Sequence, residues 1–300
     1  MLDNDSRIPA KVFGTFLLNN KTKENVVEAV QVGYRHIDTA ALYGNEVGVG
    51  EGIQEAIKSL NITRGELFVT GKAWCSQYRI IRQACVNSLK RLSLEYFDLY
   101  LLHWPICLQP DYSDQPSVNT SRINVDRFPL YLVWNQMEQL VDERLVKNIG
   151  VSNWTIALLN DLLSNARIRP LVNQIEIHPY NKRKELVEFC QHNKVIPIGY
   201  RVIFRPQDLR FCDLTVSVLD NNVITDIAAR YNKTSAQIIQ AWCLKRNCGV
   251  ITKTESPKRL LENFNSDFDL DESDFVQINS IPDAGIYTDP FPFFGIPLFH

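Results

Sequence analysis

Gly33-Tyr-Arg-His-Ile-Asp38-Thr-Ala-Ala-Leu-Tyr43-Gly-Asn-Glu46 is the stretch on which the reading of this chain turns. Tyr34 to Ile37 reads as a short strand, and Asp38 ends it. From Asn45 onward Val49, Ile53, Ala56, Ile57 and Leu60 recur at spacings of three and four, the period of a helix with one buried face. Asp38 and Tyr43 therefore fall on a strand-to-helix connection. In α/β folds such connections meet at the carboxyl ends of parallel strands, where ligands and reacting groups are held.

The same alternation runs outward in both directions. Apolar strand runs are expected at 12–16, 35–39, 67–72, 97–103, 146–151, 172–177, 195–200 and 249–253. Helical patterns follow from Thr22 up to Gly33, then at 45–60, 77–92, 128–143, 155–165, 182–192, 218–231, 235–246 and 256–264. Strands separated by helices require a parallel sheet, because each return crossing needs a helix. Eight such units predict a closed (β/α)8 TIM barrel, an α/β fold of roughly 250 residues. An open doubly wound sheet would carry a glycine fingerprint after its first strand, and none is present. We expect one domain over 1–300, with a short N-terminal hairpin near Arg7-Ile8-Pro9, extra helices and a Pro- and Phe-rich C-terminal loop.

Composition sets the class of partner. Hydrophobic residues make up 45% and charged residues 22%, with a net charge of −2. There is no basic excess to attract nucleic acid or an anionic membrane. No apolar run reaches the roughly 20 residues of a membrane span. The polar start, with Asp3 and Asp5, is unlike a signal peptide. Seven scattered cysteines without a CxxC pair point to free thiols in a reducing compartment and to no metal site. The expectation is a cytoplasmic monomer whose partner is a small molecule.

Four groups fall at or just past strand ends, in successive β/α units: Asp38 and Tyr43, Lys72, and His103. Taken singly, each has a plain structural explanation as an ion-pair member, a rim aromatic or a core histidine. Together on one barrel face they form a chemical set. A lysine at the end of an apolar strand needs a carboxylate, and Asp38 is the obvious partner. A tyrosine titrates near pH 10, so the adjacent ammonium is expected to lower it into a range useful for proton transfer. A neutral histidine can orient a carbonyl oxygen. The set suits proton donation to a carbonyl that receives a hydride.

These residues carry a family resemblance. Gly14-Thr15, Gly-Tyr-Arg-His-Ile-Asp-Thr-Ala (33–40), Tyr-Gly-Asn-Glu (43–46), Lys72 with Trp74, and Leu-Leu-His-Trp-Pro (101–105) are similar to the aldo-keto reductases. So are Gly-Val-Ser-Asn (150–153), Val-Asn-Gln-Ile-Glu-Ile-His-Pro (172–179) and Arg-Leu-Leu-Glu-Asn (259–263). The resemblance implies carbonyl reduction with NADP(H), with Tyr43 as proton donor, Lys72 and Asp38 tuning it, and His103 orienting the substrate. It implies cofactor contacts from Thr15, from Ser152, Asn153 and Gln174 on the carboxamide, and from Tyr200 stacked on the ring. At the adenosine phosphate it implies Lys253, Thr254, Arg259 and Asn263. A helix start with Ser256 as cap, Pro257 and flanking cations is itself suited to an anion. Phe16, Trp74 and Trp104 are expected around the substrate, with 106–126 and 287–299 as lids.

The chain also departs from the pattern. Arg201-Val-Ile-Phe-Arg205 stands where Ser-Pro-Leu-Gly is usual, which points to Arg201 or Arg205 as a source of charge for the pyrophosphate. Thr252 replaces a proline, Thr254 a serine, and Glu255 adds a negative charge beside the phosphate site. Phe16 stands where tryptophan is frequent. Two alternatives stay open: a non-catalytic NADPH-binding relative, like a channel subunit or crystallin, and a barrel that binds a phosphorylated metabolite without redox chemistry.

Overall fold

Strand β4, Phe97–Leu102, is buried at every position. A strand without alternation must be covered on both faces, which only a parallel sheet sandwiched by other structure provides. The remaining strands are β1 (Lys11–Gly14), β2 (His36–Asp38), β3 (Phe68–Ala73), β5 (Val146–Ser152), β6 (Val172–Glu176), β7 (Ile196–Tyr200) and β8 (Gly249–Thr252). Each pairs in parallel with the next, and β8 closes on β1, giving a (β/α)8 barrel. This computed structural model describes residues 8–18, 21–110, 116, 124–203, 217–288, 294–296 and 298.

The helices between and after the strands are α1 (Thr22–Val32), α2 (Glu46–Ser59), α3 (Ile81–Leu92), α4 (Leu130–Asp142), α5 (Ile156–Asn165), α6 (Lys184–His192), α7 (Asn222–Tyr231), α8 (Ser235–Lys245), α9 (Pro257–Phe264) and α10 (Glu272–Asn279). One apolar cluster joins Val12, Leu99, Leu101, Val172 and Ile198. Those residues come from β1, β4, β6 and β7, which are not all neighbours, so they meet across the barrel interior. The larger cluster fills the layer between barrel and helices. There, Gly50 of α2 lets that helix approach the end of α3: a Cβ at this position would lie 2.3 Å from the Leu92 carbonyl oxygen.

Element order follows the sequence reading, with three differences. Residues Cys75–Gln77 form a 3-10 turn, so α3 starts at Ile81 rather than at 77; the Gln77 side chain accepts the Trp74 N–H at 3.1 Å and stabilises the turn. Residues Val218–Asp220 are likewise a 3-10 turn preceding α7. Helix α10 was not anticipated. The expected hairpin rests on residues 1–7, outside the described residues, and Ile8 and Pro9 are in neither helix nor strand. The two expected lids are described only in part.

Candidate active site

Asp38 ends β2, where the register sets it beside Gly14 of β1 and Thr70 of β3. Lys72 lies near the end of β3 and is 0% exposed. Its ammonium spends all three donors locally: on the Asp38 carboxylate, on the Thr39 carbonyl at 3.0 Å, and on the Tyr43 hydroxyl at 3.3 Å. Tyr43 closes a 3-10 turn, Ala41–Tyr43, and Gly44 at φ 74° takes the left-handed conformation that lets the chain leave it. His103 follows β4 directly, and its N–H donates to the Ala73 carbonyl at 3.2 Å. Its ring meets Tyr43 edge-on at 5.9 Å and Trp74 at 5.3 Å. The structure thus brings Asp38, Tyr43, Lys72 and His103 to one mouth of the barrel.

Burial decides how these groups titrate. It pushes Tyr43 well above the usual phenol range, and the Asp38 carboxylate adds to this. The expected lowering by Lys72 is therefore corrected: desolvation dominates, and the Asp38 carboxylate pushes the same way. Tyr43 stays protonated, as a proton donor must. Lys72 is lowered by burial, opposed by Asp38. His103 is held well below its ordinary value by burial and by Lys72, so its imidazole is neutral.

A second polar group adjoins the first. Gln174 of β6 donates through Nε2 to Asp38 Oδ2 at 2.7 Å. Ser152 Oγ donates to the Gln174 carbonyl at 2.8 Å. Asn153 adopts φ 69° and donates through Nδ2 to the His103 carbonyl at 3.0 Å and to Ser152 Oγ at 3.1 Å. The Tyr200 hydroxyl, at the end of β7, donates to Asn153 Oδ1 at 2.7 Å. Thr15, directly after β1, supports the set: its N–H and its hydroxyl both donate to the Asp38 carbonyl at 3.0 Å. A cavity of about 350 Å³ opens beside this group, lined by Asn153, Trp154, Thr155, Glu176 and Arg183 among others. It shares Asn153 with the site and does not reach Tyr43, Lys72 or His103.

The expected aromatic wall divides in two. Phe16 is 45% exposed, with its ring 5.0 Å from that of Tyr43. Trp74 and Trp104 are buried, and between them sits a residue that sequence reasoning did not single out: Phe294, with its ring 6.1 Å from Trp74 and 5.7 Å from Trp104. Its signal was only the Pro- and Phe-rich character of the tail. Helix α9 begins as read. Ser256 caps it, accepting the Arg259 N–H at 3.4 Å, and Pro257 is its first residue. Arg259 is exposed, and its guanidinium has no partner among the described residues. Lys253 pairs with Glu255 at 3.0 Å, Thr254 Oγ1 accepts the Ser256 N–H at 3.1 Å, and Asn263 Oδ1 accepts from Gln240 at 3.1 Å. Arg201 donates to the Tyr287 carbonyl at 3.0 Å, while Phe204 and Arg205 lie outside the described residues.

Comparison with known proteins agrees with this geometry. The model of the aldo/keto reductase family matches residues 12–283. Aldose reductase C of Dictyostelium discoideum is 35% identical, covering 99% of this chain and 94% of its own length. An NAD(P)H-dependent D-xylose reductase of Pachysolen tannophilus is 38% identical, with 99% and 98% covered. The solved structure of the aldose reductase from Schistosoma japonicum superposes with a TM-score of 0.88 at 32% identity, covering 99% of this chain and 96% of that one. With a family match over nearly its whole length, and named NAD(P)H-dependent reductases among its relatives, this chain belongs to the aldo/keto reductase family and is an oxidoreductase.

Proposed function

We propose that this chain reduces aldehydes or ketones to alcohols with NADPH, and that Tyr43 supplies the proton. The observation that carries the reading is the fully buried Lys72, whose ammonium reaches both the Asp38 carboxylate and, at 3.3 Å, the Tyr43 hydroxyl. A buried cation is retained against its desolvation cost only where it is compensated or used. Here Asp38 compensates it. Its third donor is directed at the phenol oxygen, where negative charge appears once the proton leaves. Neutral His103, with a buried Nδ1 lacking a hydrogen-bond partner, can orient a carbonyl oxygen beside Tyr43.

The residues suit the cofactor. Ser152, Asn153 and Gln174 put one hydroxyl and two amides side by side, a donor and acceptor set matching a carboxamide. The Tyr200 ring stands next to them, and Thr15 braces Asp38. The exposed Arg259 in the first turn of α9, with Lys253 and Thr254 just before the helix and Asn263 in its last turn, suits the extra phosphate of NADPH. When bound, the nicotinamide supplies the hydride; holding the carbonyl, keeping a proton ready and stabilising the phenolate fall to the chain. Phe16, Trp74 and Trp104 form the substrate wall. The names of the relatives make aldoses the first substrates to try.

The chain acts, in this reading, as a cytoplasmic monomer of one domain over 1–300, without nucleic-acid or membrane partners. Among the described residues no helix is long and apolar enough to cross a membrane, and none of the described His, Cys, Asp or Glu residues forms a metal-binding group. The test is loss of the nicotinamide absorbance band on mixing protein, NADPH and a panel of aldoses, simple aldehydes and ketones. Turnover of at least one is expected; NADPH binding without turnover of any would favour the non-catalytic alternative.

A further inference from the structure

Glu176 has no part in the chemistry above, yet it is one of the most heavily engaged carboxylates in the molecule. It ends β6 and is 3% exposed. Its Oε1 accepts the Tyr287 N–H at 2.6 Å and the His178 Nε2–H at 2.9 Å, and its Oε2 accepts the Thr288 N–H at 2.8 Å. Two successive main-chain donors of the C-terminal segment, which has neither helix nor strand there, are thus satisfied by one buried side chain. The segment is gripped from other sides too. Arg201 donates to the Tyr287 carbonyl, and the Tyr287 ring lies 4.4 Å from that of His178. Burial pushes the Glu176 carboxyl up, but the hydrogen bond and charge of His178, with the Thr288 and Tyr287 donors, outweigh it and hold the group below its ordinary value.

Farther along the same segment, Phe294 is 5% exposed between Trp74 and Trp104, and Trp74 touches His103. Residues 281–288 form neither helix nor strand, so they have little of their own to fix where their side chains go. Their position must come from tertiary bonds: Lys182 and the Tyr180 carbonyl hold residues 281–285, and Glu176 holds the main chain of Tyr287 and Thr288.

We propose that Glu176 is a positioning residue for substrate: it seats the C-terminal segment so that Phe294 completes the aromatic wall beside His103. Because Glu176 also pairs in register with Tyr200, this seat is built into the strand ends that frame the site. The kinetic consequence rests on the reductase reading above; the seating itself does not.

The experiment has two arms. In the first, hydrogen exchange is followed by mass spectrometry for the peptide spanning residues 284–288. In the second, turnover of butanal and benzaldehyde is measured with saturating NADPH, and NADPH affinity is measured by fluorescence titration. The two main-chain donors use different carboxylate oxygens and an amide keeps only one, so Glu176→Gln is expected to speed exchange of the peptide. It should raise KM about tenfold, the loss of roughly one hydrogen bond to a charged group, while kcat and NADPH affinity change less than about threefold. Glu176→Asp should recover part of the KM. Thr288→Pro removes one of the two donors from the segment's own side, so it should raise KM in the same way even if the Glu176 variants fold poorly. Phe294→Ala should raise KM while leaving exchange of 284–288 slow. Unchanged exchange in both Glu176→Gln and Thr288→Pro would overturn the proposal. So would an equal fall in kcat and NADPH affinity, which would mark a general structural role. If the wild type turned over no aldehyde, the reductase reading would fall, and the exchange arm would still decide whether Glu176 seats the segment.

Discussion

Gln174 and Asp38 lie 136 positions apart in the chain and 2.7 Å apart in space, with the amide of Gln174 donating to the carboxylate oxygen that Lys72 leaves free. This contact ties the proposed nicotinamide clamp to the proposed proton-transfer set. Asp38 thus answers to two strands at once, β3 through Lys72 and β6 through Gln174. Gln174→Leu should therefore weaken NADPH binding and also destabilise the fold by about 1.5–3 kcal/mol, the worth of a hydrogen bond to a charged group. Urea denaturation without cofactor isolates the second effect. An unchanged midpoint would mean that this bond does not hold Asp38.

Tyr43→Phe removes the hydroxyl at the end of the Lys72 contact and little else, since the ring packing against Phe16 and His103 is kept. Turnover should fall by about 10²–10⁴, the usual worth of general acid catalysis, with NADPH affinity nearly unchanged. Single-turnover rates on a responsive aldehyde check this, and near-normal rates would remove Tyr43 from the role.

Cofactor choice should be carried by Arg259 more than by Lys253, because Lys253 is shared with Glu255 at 3.0 Å whereas the Arg259 guanidinium is exposed and has no partner among the described residues. Arg259→Ala is expected to weaken NADPH binding by about 10- to 100-fold and to leave NADH binding nearly as it was, since a charge-assisted contact is worth roughly 1.5–3 kcal/mol. Fluorescence titration with both cofactors separates these outcomes. Equal losses would show that Arg259 does not read the phosphate.

His36 sets a pH limit on stability. Its Nδ1–H donates to the Pro9 carbonyl at 3.0 Å, so Nε2 accepts the Thr70 hydroxyl at 2.8 Å, and burial lowers its pKa to about 4. In the unfolded chain it titrates near 6.5. Above about pH 6.5 both states are neutral and the full contribution is present. Between about 6.5 and 4 only the unfolded chain gains the proton, so stability falls as pH falls, by about 3 kcal/mol from this residue alone. His103 acts in the same direction. His36→Gln should flatten the slope of unfolding free energy across that window. The same slope in the variant would place the protonation elsewhere.

The barrel and the four strand-end groups were legible because each rests on a local signal: an apolar run, a period, a polar residue at the end of a strand. Asp38, Lys72 and His103 announce themselves by interrupting apolar stretches, and Ser256-Pro257 marks the start of α9. What stayed out of reach depends on distance in the chain or on burial. The Gln174–Asp38 bond and the Glu176 grip on Tyr287 and Thr288 join distant positions that share no pattern. The direction of the Tyr43 shift follows from how deeply the phenol is enclosed, which spacing does not encode. Phe294 needed the path of the C-terminal segment. Helix α10 did leave a trace, Asp271 before Glu272 and Asp274, but too short a one to stand out from the acidic stretch around it.

Lys72 and Asp38 also bear on how robust the molecule can be. An enclosed ion pair rarely stabilises a fold as well as apolar side chains of similar volume, and exchanging such pairs for hydrophobic residues is often neutral or stabilising by about 1–4 kcal/mol. Replacing the whole polar set at once, Lys72→Met and Asp38→Leu with Gln174→Leu so that no amide is left unpaired, should therefore give an inactive protein that melts no lower than the natural one. Lys72→Met alone, which strands the carboxylate, should melt well below it. Heat tolerance and turnover would then be opposed at this one position in the barrel, so selection for thermal endurance alone would tend to erase the residues that make the chain a catalyst.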